Sequence, residues 1–375
     1  MGKKIAVVGG GLAGLTSAIL LRRQGFQVLV IEKNQYPFHR VCGEYISNEV
    51  LPLLNDIGIV FSDNQPANIT KLEVSSPSGK LFTTNLDLGG FGISRYQFDY
   101  LFYKKALAEG VKFELGKRVV DIKFDQGNFS ILLANDQLIS ADLVIASYGK
   151  RSNLDQKLRP NVFYQRSPYV GIKYHIRTDH PDNVIQLSNF EGGYCGLSKI
   201  EGDKYCLCYL SENRLLKKHG SIDALEHEVL QQNPILKHHF LNSDFLFEKP
   251  EVINEISFDK KPAVQDHLLF CGDSAGMITP LCGNGMAIAL RSAILLTKII
   301  SGCPDFEKPN QRRNLENAWT QAWRNNFSAR LATGRFLQKL FGSRSISNGV
   351  ISFVNGVPSV GRLLVKKTHG KPFNL

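Results

Sequence analysis

The stretch Lys4–Glu32, KIAVVGGGLAGLTSAILLRRQGFQVLVIE, decides how the chain begins to fold. An apolar, β-branched run (Ile5, Val7, Val8) ends in Gly9-Gly10-Gly11. Residues at helical spacing follow (Leu12, Leu15, Ala18, Ile19, Leu21) and stop at Gly25, before a second apolar run from Val28 to Ile31. The pattern predicts strand, tight turn, helix and strand. Gly9, Gly11 and Gly14 stand in G-x-G-x-x-G spacing, and Glu32 closes the second strand. In such a unit the first glycine permits the turn, the second lets a pyrophosphate reach the backbone, and the third lets helix and strand pack closely. Leu12 and Ala13 open the helix, whose first N–H groups favour an anion. Glu32 can accept hydrogen bonds from ribose hydroxyls, and Lys33 follows it. A glycine-rich turn alone is common. Strand, turn, helix, strand and acid in register point to a dinucleotide, and a plain βαβ unit leaves Gly9, Gly11 and Glu32 unexplained together.

The rest of the chain is long enough to bury a sizeable core, with roughly two to three domains' worth of residues. Its composition, 43% hydrophobic and 21% charged, is that of an ordinary globular protein. The net charge of +11 comes from scattered residues rather than one basic helix, so no nucleic-acid partner is expected. A mild concentration toward the C-terminus (Arg312, Arg313, Arg324, Arg330, Arg335, Arg344, Arg362 among others) suits an anionic membrane surface, an acidic partner or substrate, or simply a solvated face, which is the default. The start Met1-Gly2-Lys3-Lys4 runs straight into the first strand and leaves no room for a signal peptide. Seven cysteines without a paired framework point to a reducing cytoplasm. A cytoplasmic location is therefore expected, with peripheral contact at the inner membrane face as its variant. No apolar run approaches a membrane span; Val350–Val365 comes nearest, and Asn355, Gly356, Pro358, Gly361 and Arg362 break it. Cys206-Leu207-Cys208 reads as one face of a strand, not a zinc knuckle, and no metal site is expected.

Residues 33–47 read as a loop at the carboxyl end of the first strands, the edge where open α/β sheets bind ligands. Arg40 there can pair with a phosphate. Cys42-Gly43 sets a small polarisable side chain beside a flexible backbone, although a buried thiol is first of all a small hydrophobe. A helix is expected from Asn48 to Ile57, and a hairpin from Ile69 to Thr84 turning at Pro77-Ser78-Gly79. Ser94 is placed to cap a helix running to Glu109, and Arg95 falls in its first turn, where a cation is unfavourable unless an anion lies near. Short strands follow near Lys112–Glu114, Arg118–Phe124 and Phe129–Leu133, then Asp142–Ala146. The middle of the chain reads as strands at Tyr169–Arg177, Val184–Phe190, Tyr194–Leu197 and Lys204–Leu210 with one helical stretch, Ser221–Gln231. It forms a largely antiparallel sheet. His267–Cys271 then returns to the first unit as a strand ending in Gly272-Asp273. Gly283-Asn284-Gly285 precede a long apolar helix from Met286 to Ile300. Asp273 can accept from polyol hydroxyls, and the helix N-terminus at Gly285 favours a ligand that becomes anionic on reduction.

In this order and spacing the motifs resemble the flavoproteins of the p-hydroxybenzoate hydroxylase fold, and within them the geranylgeranyl-reductase-like branch. The carrying elements are Gly9 to Gly14 with Glu32; Arg40-Val41-Cys42-Gly43; Ser94-Arg95-x-x-Phe98-Asp99; and Cys271 to Gly276 through Pro280 to Gly285. The resemblance implies an α/β fold, α+β overall. A Rossmann-like FAD-binding domain made of residues 1–68, 92–151 and 263–302 would carry an inserted antiparallel substrate domain made of 69–91 and 152–262, with a helical C-terminal region, 303–375. It implies FAD as cofactor, held through Gly9, Gly11, Leu12, Ala13, Gly14, Glu32, Lys33, Arg40, Arg95, Val119, Gly272, Asp273, Gly283, Asn284 and Gly285. Cys42 would lie near flavin and substrate. Two departures stand out. Tyr148-Gly149, before Ser152, replaces an Asp-Gly prominent in the aromatic hydroxylases. Tyr194-Cys195-Gly196-Leu197 replaces the aromatic element lining the prenyl cavity of the reductases, leaving Tyr194 as the substrate contact.

Three functions are expected from this. The first is reduction of a hydrophobic, isoprenoid- or polyketide-like alkene by hydride, with Cys42, or less favourably Glu44, as proton donor. The electrons would come from NAD(P)H or a reduced redox protein acting transiently, since no second nucleotide fingerprint is present. The second is monooxygenation of an aromatic or polyketide substrate. The third is a non-catalytic lipid-binding or escort protein, which the intact Gly9, Gly11, Gly14, Glu32 and Asp273 oppose. Trp319 and Trp323 fall in a late charged helix rather than a Trp-x-Trp-x-Ile-Pro loop, which argues against halogenation.

Overall fold

Two sheets organise the molecule, and both bring loops to one edge. The structure is a computed structural model that describes all residues except 1, 62–64, 151–152, 160–167, 257, 280–282, 341–342 and 369. Ser152 and Pro280 therefore lie outside the described residues. The first sheet has six strands in the order β17 (Val264–Gln265), β18 (Leu268–Phe270), β10 (Leu143–Ala146), β1 (Lys4–Val8), β2 (Gln27–Glu32) and β6 (Lys112–Leu115). It is parallel except for the β17–β18 pair. Its central strands, KIAVV and LVIA, are apolar almost without break because both faces are covered, one of them in part by a small third sheet. Helix α1 (Leu12–Arg23) packs on α3 (Arg95–Ala108) and α8 (Gly285–Ser301). Register fixes the functional edge. Val8 pairs with Ile31 and with Ala146, and Ala146 pairs with Phe270, so Gly9, Glu32, Ser147 and Cys271 emerge side by side.

The second sheet has nine strands. Its order is β15 (Asp244–Phe245), β11 (Tyr169–Arg177), β14 (Tyr205–Glu212), β13 (Gly193–Lys199), β12 (Val184–Phe190), β4 (Ala67–Ser75), β5 (Leu81–Gly92) and β3 (Tyr45–Ser47), with β16 (Glu251–Ile256) also on β11. The hairpin and the middle of the chain thus share one sheet, joined by the parallel pair β12–β4. Its outer face packs on α5 (Asn213–His219), α6 (Ile222–Glu228) and α7 (Pro234–Asn242) around Ile172, Leu207, Tyr209 and Leu225. The expected single helical stretch is thus the middle of three short helices. Strands β7 (Val119–Asp125), β8 (Asn128–Leu133) and β9 (Leu138–Ala141) form a small third sheet, α4 (Asn153–Leu158) packs on β7, and α2 (Leu51–Ile57) buries Leu53, Leu54 and Ile57 in the main core. The C-terminal helices are α9 (Pro309–Leu340), α10 (Arg344–Gly356) and α11 (Pro358–Thr368).

One expectation fails here. Residues 45–47 are not loop but strand β3, because β5 runs past Thr84 to Gly92 and offers Tyr45 a partner. Glycine makes that extension possible: a Cβ on Gly92 would lie 1.8 Å from the Lys199 carbonyl oxygen, and one on Gly90 2.4 Å from the Tyr45 ring.

Candidate functional site

The three fingerprint glycines have different reasons to be glycine. Gly9 has φ +104°, and a Cβ there would lie 2.5 Å from the Ser147 carbonyl oxygen. A Cβ on Gly14 would lie 2.1 Å from the Gly9 oxygen. Both are demanded by packing of β1, β10 and α1. Gly11 is not. Its backbone is extended (φ −82°, ψ −178°), and the nearest atom to a Cβ there is Arg95 Nη2, 3.9 Å away. The N-terminus of α1 carries no side-chain cap and faces a guanidinium across open space. That is the geometry of an anion site, and the unfavourable placement of Arg95 in the first turn of α3 is understandable beside it.

Glu32 is buried and accepts from the Gly10 N–H (2.8 Å) and the Asn34 N–H (3.0 Å). Arg40 does not point free toward a phosphate: its Nε donates to Asp99 (3.0 Å), and its Nη2 lies 3.4 Å from Glu32. Asp99 also takes two hydrogen bonds from Arg95, at 2.7 and 2.8 Å, so one carboxylate aligns both arginines. Lys33 is exposed. Val119 is buried at the start of β7, two residues beyond Lys117, whose N–H donates to the Glu32 carbonyl.

Across the edge, Gly272 (φ +67°) allows the turn after β18 to press on α1; a Cβ there would lie 2.8 Å from Ala13 Cβ. Burial raises the Asp273 carboxyl above its ordinary range, against the charges of Lys150, Arg95, Lys261 and Arg40. Four cations thus lie near enough to Asp273 to oppose that shift. Gly283 (φ +62°) lies against the Tyr45 ring, and buried Asn284 stands at the N-cap position of α8 without a capping hydrogen bond from its side chain. Tyr148, standing where an Asp was expected, donates to Asp155 (2.6 Å), which also pairs with Arg159 and Lys261. It therefore belongs to a buried structural network.

The loop at residues 40–44 is held from below by groups that no motif announced. Lys173 and His175, on the inner face of β11, bond to opposite oxygens of Glu44, at 2.6 and 2.7 Å. Lys173 also donates to the Arg40 carbonyl, Lys150 to that of Val41, Cys206 to that of Cys42, and Ser198 to that of Gly43. Glu44 itself has φ +55° and accepts the Arg95 N–H (2.8 Å), capping α3. Burial alone would raise its pKa, but the Lys173 charge and the His175 hydrogen bond outweigh it and hold the carboxyl down to about 2. Lys173 and His175 thus favour the ionised form of Glu44, which weighs against it as a proton donor. Glu44, His175 and Cys206 lie within 4.8 Å of one another, a spacing a metal could use, but the cluster already contains the Lys173 ammonium. Burial and the charges of Lys173 and His175 bring neighbouring His39 down to about 4. Cys42 is half-buried at the top of this assembly. Only the alternation of β11 could have signalled Lys173 and His175, because a lysine inside a strand of buried residues needs a partner.

Beyond Lys173 the inner face of the large sheet turns small and apolar. Register sets Cys208 opposite Lys173 and Gly196, and Leu210 opposite Gly171 and Tyr194; Leu187 pairs with Gly196 and Val74. Tyr194 is buried in the main core beside Leu210.

Residues 3–169 match the FAD binding domain family. The chain is an FAD-dependent oxidoreductase. A second family model, squalene epoxidase, matches residues 236–339. The 1H-pyrrole-2-carbonyl-[peptidyl-carrier protein] brominase of Pseudoalteromonas luteoviolacea is 22% identical, over 77% of this chain and 75% of its own length. The digeranylgeranylglycerophospholipid reductase of Methanocaldococcus jannaschii is also 22% identical, over 90% of this chain and 87% of its own. A solved flavin-dependent brominase shares the fold with a TM-score of 0.79 at 19% identity, covering 100% of this chain and 95% of that one. No helix among the described residues is long and apolar enough to cross a membrane.

Proposed function

We propose that this oxidoreductase belongs to the geranylgeranyl-reductase-like branch and reduces a hydrophobic, unsaturated substrate. The observation that carries the proposal is the inner face of the large sheet. Leu187, Gly196, Cys208 and Leu210 leave the ground beyond Lys173 without charge, opposite the loop that bears Cys42. Such a wall favours an aliphatic chain and offers nothing to a polar one.

In this reading Gly11, Leu12, Ala13 and Arg95 hold the pyrophosphate of FAD. Glu32 meets a ribose, with Gly10 N–H fixing its orientation. Asp273 would accept from polyol hydroxyls of FAD, and the α8 N-terminus at Gly285 would favour the negative charge gained on reduction. Lys33, exposed, and Val119, through its backbone, would border the adenosine end, while Arg40 acts by aligning Asp99. Bound FAD supplies two electrons as hydride, restored by NAD(P)H or a reduced redox protein. The Cys42 thiol would donate the proton that completes saturation of the alkene. The thiolate regains its proton from water, since Cys42 is half-buried. Lys173 and Glu44 keep the loop in place.

Monooxygenation is the second reading, favoured by the similarity to an FAD-dependent monooxygenase of Arthrinium sp., 24% identical over 79% of this chain and 76% of its own length. The reduced holoprotein, mixed with dioxygen in a stopped-flow cell, separates the two. Single-phase reoxidation with stoichiometric hydrogen peroxide supports reduction of an organic acceptor. A lag before the oxidised-flavin absorbance returns supports oxygenation and removes the reductase reading.

A further inference from the structure

The last 59 residues, 317–375, contain nine Lys or Arg and no Asp or Glu, so they hold nine of the chain's eleven net positive charges. They fold as the end of α9 followed by α10 and α11. The orientation of α10 is fixed on two sides. Ser347, Ile351 and Val354 are buried, the latter two in a cluster with Phe82 and Leu86. Asn348, Ser352 and Asn355 bond to Ser78, Lys80 and the Leu81 carbonyl. The side left facing solvent is Ile346, Val350, Phe353 and Val357, spaced i, i+4, i+7 and i+11. Ile346, Phe353 and Val357 are 47%, 57% and 41% exposed. No charged residue occurs from Ser345 to Val360. A surface helix ordinarily turns charge to water.

Helix α11 packs on β5 as α10 does, with Val365 in contact with the same cluster, so the outward sides of both helices point away from the sheet together. The outward side of α11 carries Leu363, 52% exposed, between Arg362 and Lys366. Arg362, Lys366, Lys371 and Asp87 border a groove of about 170 Å³ beneath it. An apolar stripe in a field of cations is the pattern of a helix that lies in a lipid interface. A second copy would bring like charge to like charge. A stripe of Ile, Val and Phe has no polar side chain to set a register with a protein partner.

We propose that α10 and α11 form a docking face for an anionic lipid bilayer. Ile346, Phe353, Val357 and Leu363 enter the boundary between headgroups and acyl chains, while Arg362 and Lys366 meet lipid phosphates. The proposal does not depend on which reaction the flavin site performs.

The test is flotation of the purified holoprotein with phosphatidylcholine vesicles, with and without phosphatidylglycerol, at low and high salt. Binding is expected only with phosphatidylglycerol and falls as salt screens the cations. Each of Arg362→Ser and Lys366→Ser weakens it about fivefold, since one cation near such a surface contributes about 1 kcal/mol. Phe353→Asp weakens it at least as much as the two together. Phe353→Ser with Leu363→Ser replaces it should Phe353→Asp fail to yield folded, flavin-loaded protein. Absence of binding to phosphatidylglycerol vesicles at low salt would overturn the proposal. So would unchanged binding by the Phe353 variants, which would reduce the effect to diffuse charge. Self-association in sedimentation that disappears in the Phe353 variants would assign the face to a second copy instead.

Discussion

Replacing Lys173 by Met tests whether the loop at residues 40–44 is held electrostatically. The two side chains have similar length, so the change removes a charge and leaves no large cavity. Lys173 and Glu44 are both fully buried and 2.6 Å apart. Taking the Glu44 carboxyl from its usual 4.5 to about 2 corresponds to roughly 3 kcal/mol of preference for the ionised form. That preference is the net of burial, Lys173 and His175 together, so it is no measure of Lys173 alone; removing one partner of a buried pair ordinarily costs about 3–5 kcal/mol. Lys173→Met is therefore expected to lower the free energy of unfolding by about 3 kcal/mol at neutral pH. Adding Glu44→Gln should recover part of the loss, since no buried charge is then left alone. The pH dependence has a definite sign. A carboxyl with a folded pKa below its unfolded one contributes stability that is present above 4.5 and lost as pH falls through about 2. That acid limb should flatten in Lys173→Met. Urea titrations of wild type, both single variants and the double variant at several pH values measure this directly. A Lys173→Met protein within about 0.5 kcal/mol of wild type, the range of ordinary surface changes, would refute the reasoning.

Four further outcomes are expected. Gly11→Ala should leave the apoprotein as stable as wild type, because its backbone is extended and its Cβ meets open space, yet lower FAD affinity at least tenfold in a fluorescence titration; equal affinity would make Gly11 incidental. Asp273→Ala should weaken FAD binding by about 1–3 kcal/mol through a lost acceptor, and unchanged binding would leave Asp273 a turn residue. With a polyprenyl substrate, Cys42→Ser should lower turnover by about 10²–10⁴-fold while reduction by an artificial donor stays normal; wild-type turnover would retire Cys42 as proton donor. Burial raises Glu226 to about 7, despite hydrogen bonds from Tyr209 and Tyr174. Its contribution is complete below its unfolded value and declines as pH rises through about 7, so Glu226→Gln should remove that decline from thermal melts between pH 5 and 8; an unchanged profile would show that Glu226 is not its source.

Local pattern revealed much of the fold and half of the site. The first strand, helix and second strand could be read from Lys4 to Glu32 because helix and strand periods, glycines and acid all agree there. The capping role of Ser94 was equally local: its side chain accepts from the Gln97 N–H. What sequence could not give were partners distant along the chain. Lys173 and Glu44 are 129 residues apart, and nothing near either one announces the other. The pairing of Arg40 was hidden for the same reason, since Asp99, which holds it, lies 59 residues away on α3. Strand β3 was missed because it exists only by virtue of the unusual length of β5.

The pairing of β10 with β18 and of β12 with β4 also bears on how the chain must be made. Strand β10, ending at residue 146, waits for β18 at residue 268. Strand β4, ending at residue 75, waits for β12 at residue 184. Neither sheet is therefore complete when its first strands leave the ribosome, and α8, which covers α1, ends only at Ser301. The early strands are Val- and Ile-rich with open edges through most of synthesis, the condition under which nascent chains aggregate or recruit chaperones. Closing loops of this length is slow, so folding is expected to be largely post-translational. Chains cut before β18 should then be insoluble rather than partly active.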